Sequence, residues 1–543
     1  MNKVQDAETE GATSICRQKG TPQVIVSGAY LPVDVREKVD IHIEGDRIVA
    51  IIPHEGATSQ RNDDAATIDA QGRVAFPGFI DSHVHAEGAL FDPEVQRALL
   101  RQGITSVVLG QDGVSFAPSP AGAEFDAAAW AGNYFAAING AAPQGFSGGS
   151  VRDFLDVYDR TTPVNVGYVI PHGTVRYAVK GGGPGDATDA EIAEMVALVE
   201  EGLLDGACGL STGLEYTPAK FSSTRELEAI LGVVARSGLP HVSHMRGYES
   251  AAVTALDELR ALAEATGVHT HVSHLHGPFD EISVALDAFT RAGLGLSFDT
   301  YPYLRGCTIL SMLALPSWLP VADVDATLDA LADPSIRQRL HDEHLSSLED
   351  LWPRVTLAAV PGVYSWAEGV QLVDVAERMG VSAAHCLVEL LIASRLKASA
   401  VFAQPPTNSP ESVESFAHDD RHVAGSDSIY QGGHPHPRGW GTFANYVKTY
   451  VAERKSWSYA DAVEHLAARS ARMFGFSDVG EVAVGRIADI ALVDIAAVED
   501  RATYESPRVD AVGVDDVIVR GRVVLRDGEL TGELAGRPLI PTR

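Results

Sequence analysis

Eight short apolar runs alternate with amphipathic helical stretches, which predicts an α/β chain folded as a (β/α)8, TIM-like barrel. Two further observations complete the expected architecture. Alternating β patterns stand at both chain ends, and the seventh and eighth runs are separated by more residues than one βα connection uses. The ends predict a small β-sandwich domain made from residues 21–70 and 477–543. The interior, 71–476, predicts the barrel, with a helical insertion over its mouth at about 305–420. Residues 1–10 are polar and acidic, and residues 1–20 read as a disordered tail.

The terminal segments justify the sandwich. Gln23-Val24-Ile25-Val26-Ser27-Gly28 and Val39-Asp40-Ile41-His42-Ile43 alternate and turn at Gly45-Asp46. Near the other end, Asp516-Val517-Ile518-Val519-Arg520-Gly521 and Arg522-Val523-Val524-Leu525 do the same, and Ile487-Ala488-Asp489-Ile490-Ala491-Leu492 adds a strand. The barrel strands lie at Ile80–His85, Ser106–Asp112, Val164–His172, Ala207–Thr212, His241–Arg246, His269–His276, Gly295–Tyr303 and His422–Asp427. Between them the helical period is plain in places, as in Asp189-Ala190-Glu191-Ile192-Ala193-Glu194-Met195-Val196.

Composition narrows the function. A chain of 543 residues with 45% hydrophobic and 21% charged residues has material for a large core and a soluble surface. The net charge of −31 leaves no basic surplus to neutralise phosphates, which speaks against nucleic acid as partner. The four cysteines, Cys16, Cys208, Cys307 and Cys386, form no C-x-x-C pair and no disulfide framework, so a reducing, cytoplasmic setting is expected. The N-terminus lacks a secretory pattern, no apolar run reaches membrane-spanning length, and the partner expected is a small molecule.

Chemistry collects at the strand ends, where a parallel barrel keeps its active site. His83-x-His85 ends the first strand, and residues two apart on a strand point the same way. Asp112 ends the second, His244 and Arg246 the fifth, His274 and His276 the sixth, and Asp427 the eighth. Each alone is matched by a bland alternative, a satisfied core or surface side chain. Together, four His and two Asp at one barrel mouth suit one or two zinc-like ions. Strand parity assigns His241 and His271 to the opposite faces, as packing or surface residues.

These stretches resemble the amidohydrolase superfamily and, within it, the N-acyl-D-amino-acid deacylases (D-aminoacylases). The resemblance rests on Pro77-Gly78-Phe79-Ile80-Asp81-Ser82-His83-Val84-His85, Gly209-Leu210-Ser211-Thr212-Gly213-Leu214-Glu215-Tyr216, Ser243-His244-Met245-Arg246, Ser273-His274-Leu275, Asp299-Thr300-Tyr301-Pro302-Tyr303, Ser426-Asp427, His436-Pro437-Arg438 and Gly485-Arg486-Ile487-Ala488-Asp489. The resemblance implies a metal site at His83, His85, His244, His274 and Asp427, holding one or two zinc ions or another divalent metal. Where the family has a metal-binding cysteine after the second strand, this chain reads Gly110-Gln111-Asp112-Gly113, so Asp112 takes that place. Lys180 stands beyond the third strand and is not expected to bridge metals.

The implied reaction is metal-assisted hydrolysis of a linear amide. A bound divalent ion brings the pKa of water from about 15.7 towards about 7. Asp427 acts as general base and then as general acid towards the leaving nitrogen. For the substrate, the family's lysine two residues after the sixth-strand histidine is His276 here. Arg246, Tyr216, Tyr303, Arg305 and Arg438 are the other expected contacts, with His172 and Arg176 as further candidates. The substrate expected is an N-acyl amino acid, of D or L configuration, or a related N-acyl compound. Two alternatives are a cyclic-amide hydrolase of the hydantoinase or dihydroorotase kind and a non-catalytic barrel that binds metal or ligand.

Overall fold

The computed structural model describes residues 23–55 and 65–542; the expected tail over 1–20 lies outside the described residues. Both chain ends enter one nine-stranded sheet. Val24–Leu31 pairs antiparallel with Asp34–Glu44, which pairs with Arg47–Pro53. Ile490–Val493 pairs with Val74–Pro77 on one side and Val514–Val519 on the other, joining the C-terminal strands to the N-terminal ones. The alternation read in the sequence buries Val24, Val26, Ile41, Ile43, Ile490, Leu492 and Ile518 in one core.

Eight parallel strand units follow in a ring. Numbering these alone, they are β1 (Phe79–Asp81, resuming at Val84–His85), β2 (Ile104–Leu109), β3 (Asn165–Tyr168, resuming at Ile170–Pro171) and β4 (Leu210–Gly213). Then come β5 (His241–His244), β6 (Thr270–Val272), β7 (Leu296–Thr300) and β8 (His422–Ala424, resuming at Ser428–Ile429). Each pairs with the next, and the second segment of β8 pairs with that of β1, which closes the barrel. The helices between them start where the sequence supplies caps. Thr188 and Glu191 form a capping box on Asp189–Asp205, and Ser223 caps Thr224–Ser237.

The insertion between β7 and β8 is not purely helical. Arg305–Ile309, Val355–Ala359 and Ser399–Ala403 form a three-stranded antiparallel sheet among the expected helices. The runs Thr356-Leu357-Ala358 and Ala400-Val401-Phe402 are short and apolar, a pattern that fits a buried strand or a buried helix turn equally well. The insertion has its own core, including Leu310, Leu331, Trp352, Leu357, Leu387 and Leu391. No helix among the described residues is long and apolar enough to cross a membrane.

Candidate metal centre at the barrel mouth

His83 and His85 end β1, and both Nε2 atoms point at Asp427 beyond the first segment of β8, at 3.6 and 3.5 Å from Oδ1. Asp112, just after β2, lies among four imidazoles. His83 Nε2 and His85 Nε2 are each 3.5 Å from its carboxylate, His244 Nδ1 is 3.5 Å away and His274 Nε2 3.6 Å. Two ligand groups result: His83, His85, Asp112 and Asp427 in one, and Asp112, His244 and His274 in the other. Within each group the donor atoms lie within 4.8 Å of one another, and Asp112 is common to both.

The donor set fits a divalent ion. His83 Nε2, His85 Nε2 and Asp112 Oδ1 are buried and have no hydrogen-bond partner, a costly state for polar atoms unless something else satisfies them. Imidazole nitrogens and carboxylate oxygens are zinc donors.

The far nitrogen of three histidines is held by a partner, which fixes each ring. Asp299 faces His83 Nδ1 at 3.3 Å, Asn139 Oδ1 faces His85 Nδ1 at 2.9 Å, and Glu215 Oε2 faces His244 Nε2 at 2.9 Å. Sequence reasoning missed all three partners. Asp299 and Glu215 lay inside quoted motifs, at the end of β7 and just past β4, without being given a role, and Asn139 comes from a short helix in the β2–β3 connection with no spacing signal.

The backbone is locally strained where these groups converge. Asp112, His274 and Asp427 have φ of 56°, 36° and 50°, a region that L residues other than Asn and Asp rarely enter. The glycines around Asp112 make room for its turn. A Cβ on Gly110 would stand 2.1 Å from Val169 O, and one on Gly213 would stand 1.9 Å from Asp112 O.

Electrostatics follow from the two carboxylates in a buried place. Burial pulls His85 and His244 down, but hydrogen bonds and charge from the neighbouring carboxylates outweigh it and hold both at about 10. Asp112 shows the converse: burial pushes it up, and His244 and His83 hold it well below the usual carboxylate range. Asp427 is likewise held low, chiefly by Arg438, whose Nη1 is 2.9 Å from Oδ2. Metal would therefore bind in competition with protons on these histidines.

A cavity of about 170 Å³ opens over the cluster, walled by His276, Tyr216, Tyr248, Glu215, Tyr301, Ile138 and Ile429, and by Thr308, Met312, Phe402 and Gln404 of the insertion. Of the expected substrate contacts, Tyr216 and His276 reach this wall. His276 stacks flat on Tyr248, its Nδ1 bonds to His274 O, and burial pulls it down to about 4. Arg438 is fully buried behind Asp427, its guanidinium over the Tyr301 ring.

Three other expected contacts are not brought to the cavity. Arg246 bonds Glu258 and the Lys220 carbonyl. Tyr303 donates to Asp500, while Tyr301, two residues earlier, takes the place on the wall. Arg305 lies over the Tyr504 ring and lines a separate groove with Pro302 and Pro405. His172 and Arg176 both pair with Glu226, and Lys180 pairs with Glu191, all away from the cluster.

Parity failed for His271. It is fully buried, with Nε2 3.0 Å from Asp299 Oδ2, on the same side as the metal cluster. β6 ends at Val272, and the left-handed turn at His274 resets the alternation on which the expectation rested. His241 does face outwards, where Nε2 meets Thr212 Oγ1 at 2.8 Å.

The model of the amidohydrolase family matches residues 66–525. The chain belongs to that family. Three deacylases from Alcaligenes xylosoxydans xylosoxydans are similar to this amidohydrolase over nearly their whole length. N-acyl-D-aspartate deacylase is 30% identical over 92% of this chain and 91% of the relative. N-acyl-D-glutamate deacylase is 29% identical over 90% of each chain, and D-aminoacylase is 29% identical over 95% and 96%. Among solved structures, N-acyl-D-glutamate deacylase from Bordetella bronchiseptica, complexed with zinc and a phosphonate mimic of the tetrahedral intermediate, superimposes with a TM-score of 0.78 at 27% identity. That match covers 96% of this chain and 100% of the other. An L-hydantoinase from Arthrobacter aurescens matches with a TM-score of 0.53 at 16% identity over 96% and 100% of the chains, a likeness of fold alone.

Proposed function

We propose that this amidohydrolase is a metal-dependent deacylase that cleaves the linear amide of an N-acyl amino acid or a related N-acyl compound. The observation that carries the reading is the buried convergence of His83, His85, Asp112 and Asp427 on one point, with unpartnered nitrogen and oxygen atoms aimed at it. We assign His83, His85, Asp112, His244, His274 and Asp427 as the residues that would hold zinc, as one ion or as two sharing Asp112. One related D-aminoacylase is described as having a binuclear metal centre, activated by one metal and attenuated by the second. A bound divalent ion supplies Lewis acidity, acidifying water and polarising the amide carbonyl.

The chain's own residues do the rest. Asp427 is ionised and held at Oδ2 by Arg438, so Oδ1, which faces the cluster, is the atom placed to accept a proton from the attacking water. The hydroxyl adds to the carbonyl carbon, the C–N bond breaks, and Asp427 returns the proton to the leaving nitrogen. Tyr216 and His276 line the cavity that receives the substrate, and Thr308, Met312, Phe402 and Gln404 of the insertion form part of its wall. Three buried free cysteines, Cys208, Cys307 and Cys386, support a cytoplasmic setting.

The deciding experiment is acyl release by the zinc-loaded full chain from a panel of linear N-acyl-D and N-acyl-L compounds beside cyclic amides. The deacylase reading expects turnover of linear amides. Turnover confined to cyclic amides would replace it with a hydantoinase-like activity.

A further inference from the structure

Outside the metal cluster, the acidic side chain on the cavity wall is Glu215. Glu215 lines the cavity with its side chain 35% exposed and its Oε2 2.9 Å from His244 Nε2. A glutamate carboxylate that faces an imidazole N–H is an anion at neutral pH by its ordinary acidity. Among the described residues, no lysine and no arginine lines the cavity. Arg246 is held by Glu258, Arg305 by the Tyr504 ring, and Arg438 lies fully buried against Asp427. The remaining wall offers apolar side chains, such as Ile138, Met312 and Phe402.

Away from the metal cluster, a free carboxylate entering this space meets no lysine or arginine and one like charge. Losing its hydration without a partner is costly, and like charges repel more strongly in a partly desolvated site than in water. An N–H donor in the same place gains a hydrogen bond to an ionised acceptor, which is stronger than a neutral one.

We propose that the substrate is an N-acyl compound whose amine portion carries no free carboxylate and instead turns amide or amine N–H groups towards Glu215. This rests on the deacylase reading and names the substrate class within it. Glu215 then has two duties, orienting His244 and selecting against anions, and the two separate experimentally.

The test uses the zinc-loaded full chain and matched pairs: N-acetyl-methionine, -leucine and -alanine, each as free acid and as primary carboxamide, in both configurations, with released acetate as readout. The carboxamides are expected to exceed their acids in kcat/KM by tenfold or more. In Glu215→Gln that ratio is expected to fall towards one, whatever happens to the absolute rates. A loss of rate on both members with the ratio unchanged would show that Glu215 only orients His244, and would overturn the proposal. Preference for the free acids in the unaltered enzyme would overturn it while leaving the deacylase reading intact. Acetate release from no compound in the panel would overturn both.

Discussion

Asp299 is the residue whose alteration reports most directly on how the metal centre is held. Its Oδ2 faces His83 Nδ1 at 3.3 Å and His271 Nε2 at 3.0 Å, and its Oδ1 accepts from His274 N at 2.9 Å. One carboxylate therefore orients the ring of His83 and pins the backbone of His274, at two corners of the cluster. Burial pushes this group up, but His83 and His271 hold it far below the usual carboxylate range, so it acts as an anion accepting N–H bonds. Asp299→Asn keeps the shape and removes both the charge and one acceptor. Whichever way the amide turns, its NH2 meets an N–H donor.

The lost charge-assisted bond corresponds to about 1.5–3 kcal/mol in stability. Outer partners of metal-binding histidines typically carry about 10–100-fold in metal affinity. The assay is zinc affinity by competition with a chromophoric chelator, with a melting curve of the metal-free protein beside it. The expected result is zinc binding weakened by about 10–100-fold and a lowered melting temperature. Zinc affinity within twofold of the unaltered protein would show that His83 does not depend on Asp299 for its orientation, and the reasoning would fail.

Other consequences are equally open to measurement. Asp427→Asn is expected to cut acyl release by about 10²-fold or more while zinc stays bound, as checked by elemental analysis and steady-state rates; near-normal turnover would remove Asp427 as the proton carrier. Asp112→Ala deletes the one side chain common to both ligand groups, so zinc per chain should fall by at least half, and an unchanged metal count would contradict the shared role. Asp489, which joins the barrel to the terminal sheet through Asn165 Nδ2 and Arg520 N, is raised by burial from 3.8 to about 6. A folded pKa above the unfolded one means that the group's contribution is full below about 4 and is lost as pH rises through about 6. Asp489→Asn should therefore gain in melting temperature relative to the unaltered protein between pH 4.5 and 7.5, and a constant difference across that range would refute the assignment.

The sequence carried the ring of strands and most of the cluster, for a physical reason. Metal-competent residues must stand where a strand leaves the sheet, and a strand end is marked by an apolar run that stops, as Phe79-Ile80 stops before His83. What it did not carry lies in irregular backbone and in long-range pairing. His271 was assigned outwards because a period of two was extended through Ser273 and His274, where the chain turns left-handed. Arg305 sits at the start of an insertion strand, and pairing with Ala403 carries it to the outer groove while Gly306, Cys307 and Thr308 reach the cavity. Arg246 has the right motif and the wrong direction, because Glu258 on the following helix captures it. Asn139 meets His85 across 54 positions, a separation that no local pattern encodes.

The central claim is that one buried cluster at the barrel mouth holds the metal on which amide cleavage depends. Anomalous X-ray scattering from zinc-loaded crystals tests it most directly. The account predicts a zinc peak at about 2.0–2.2 Å from nitrogen and oxygen atoms of His83, His85, Asp112 and Asp427, or of Asp112, His244 and His274. A fully active, zinc-loaded enzyme with no peak among these six residues would contradict it.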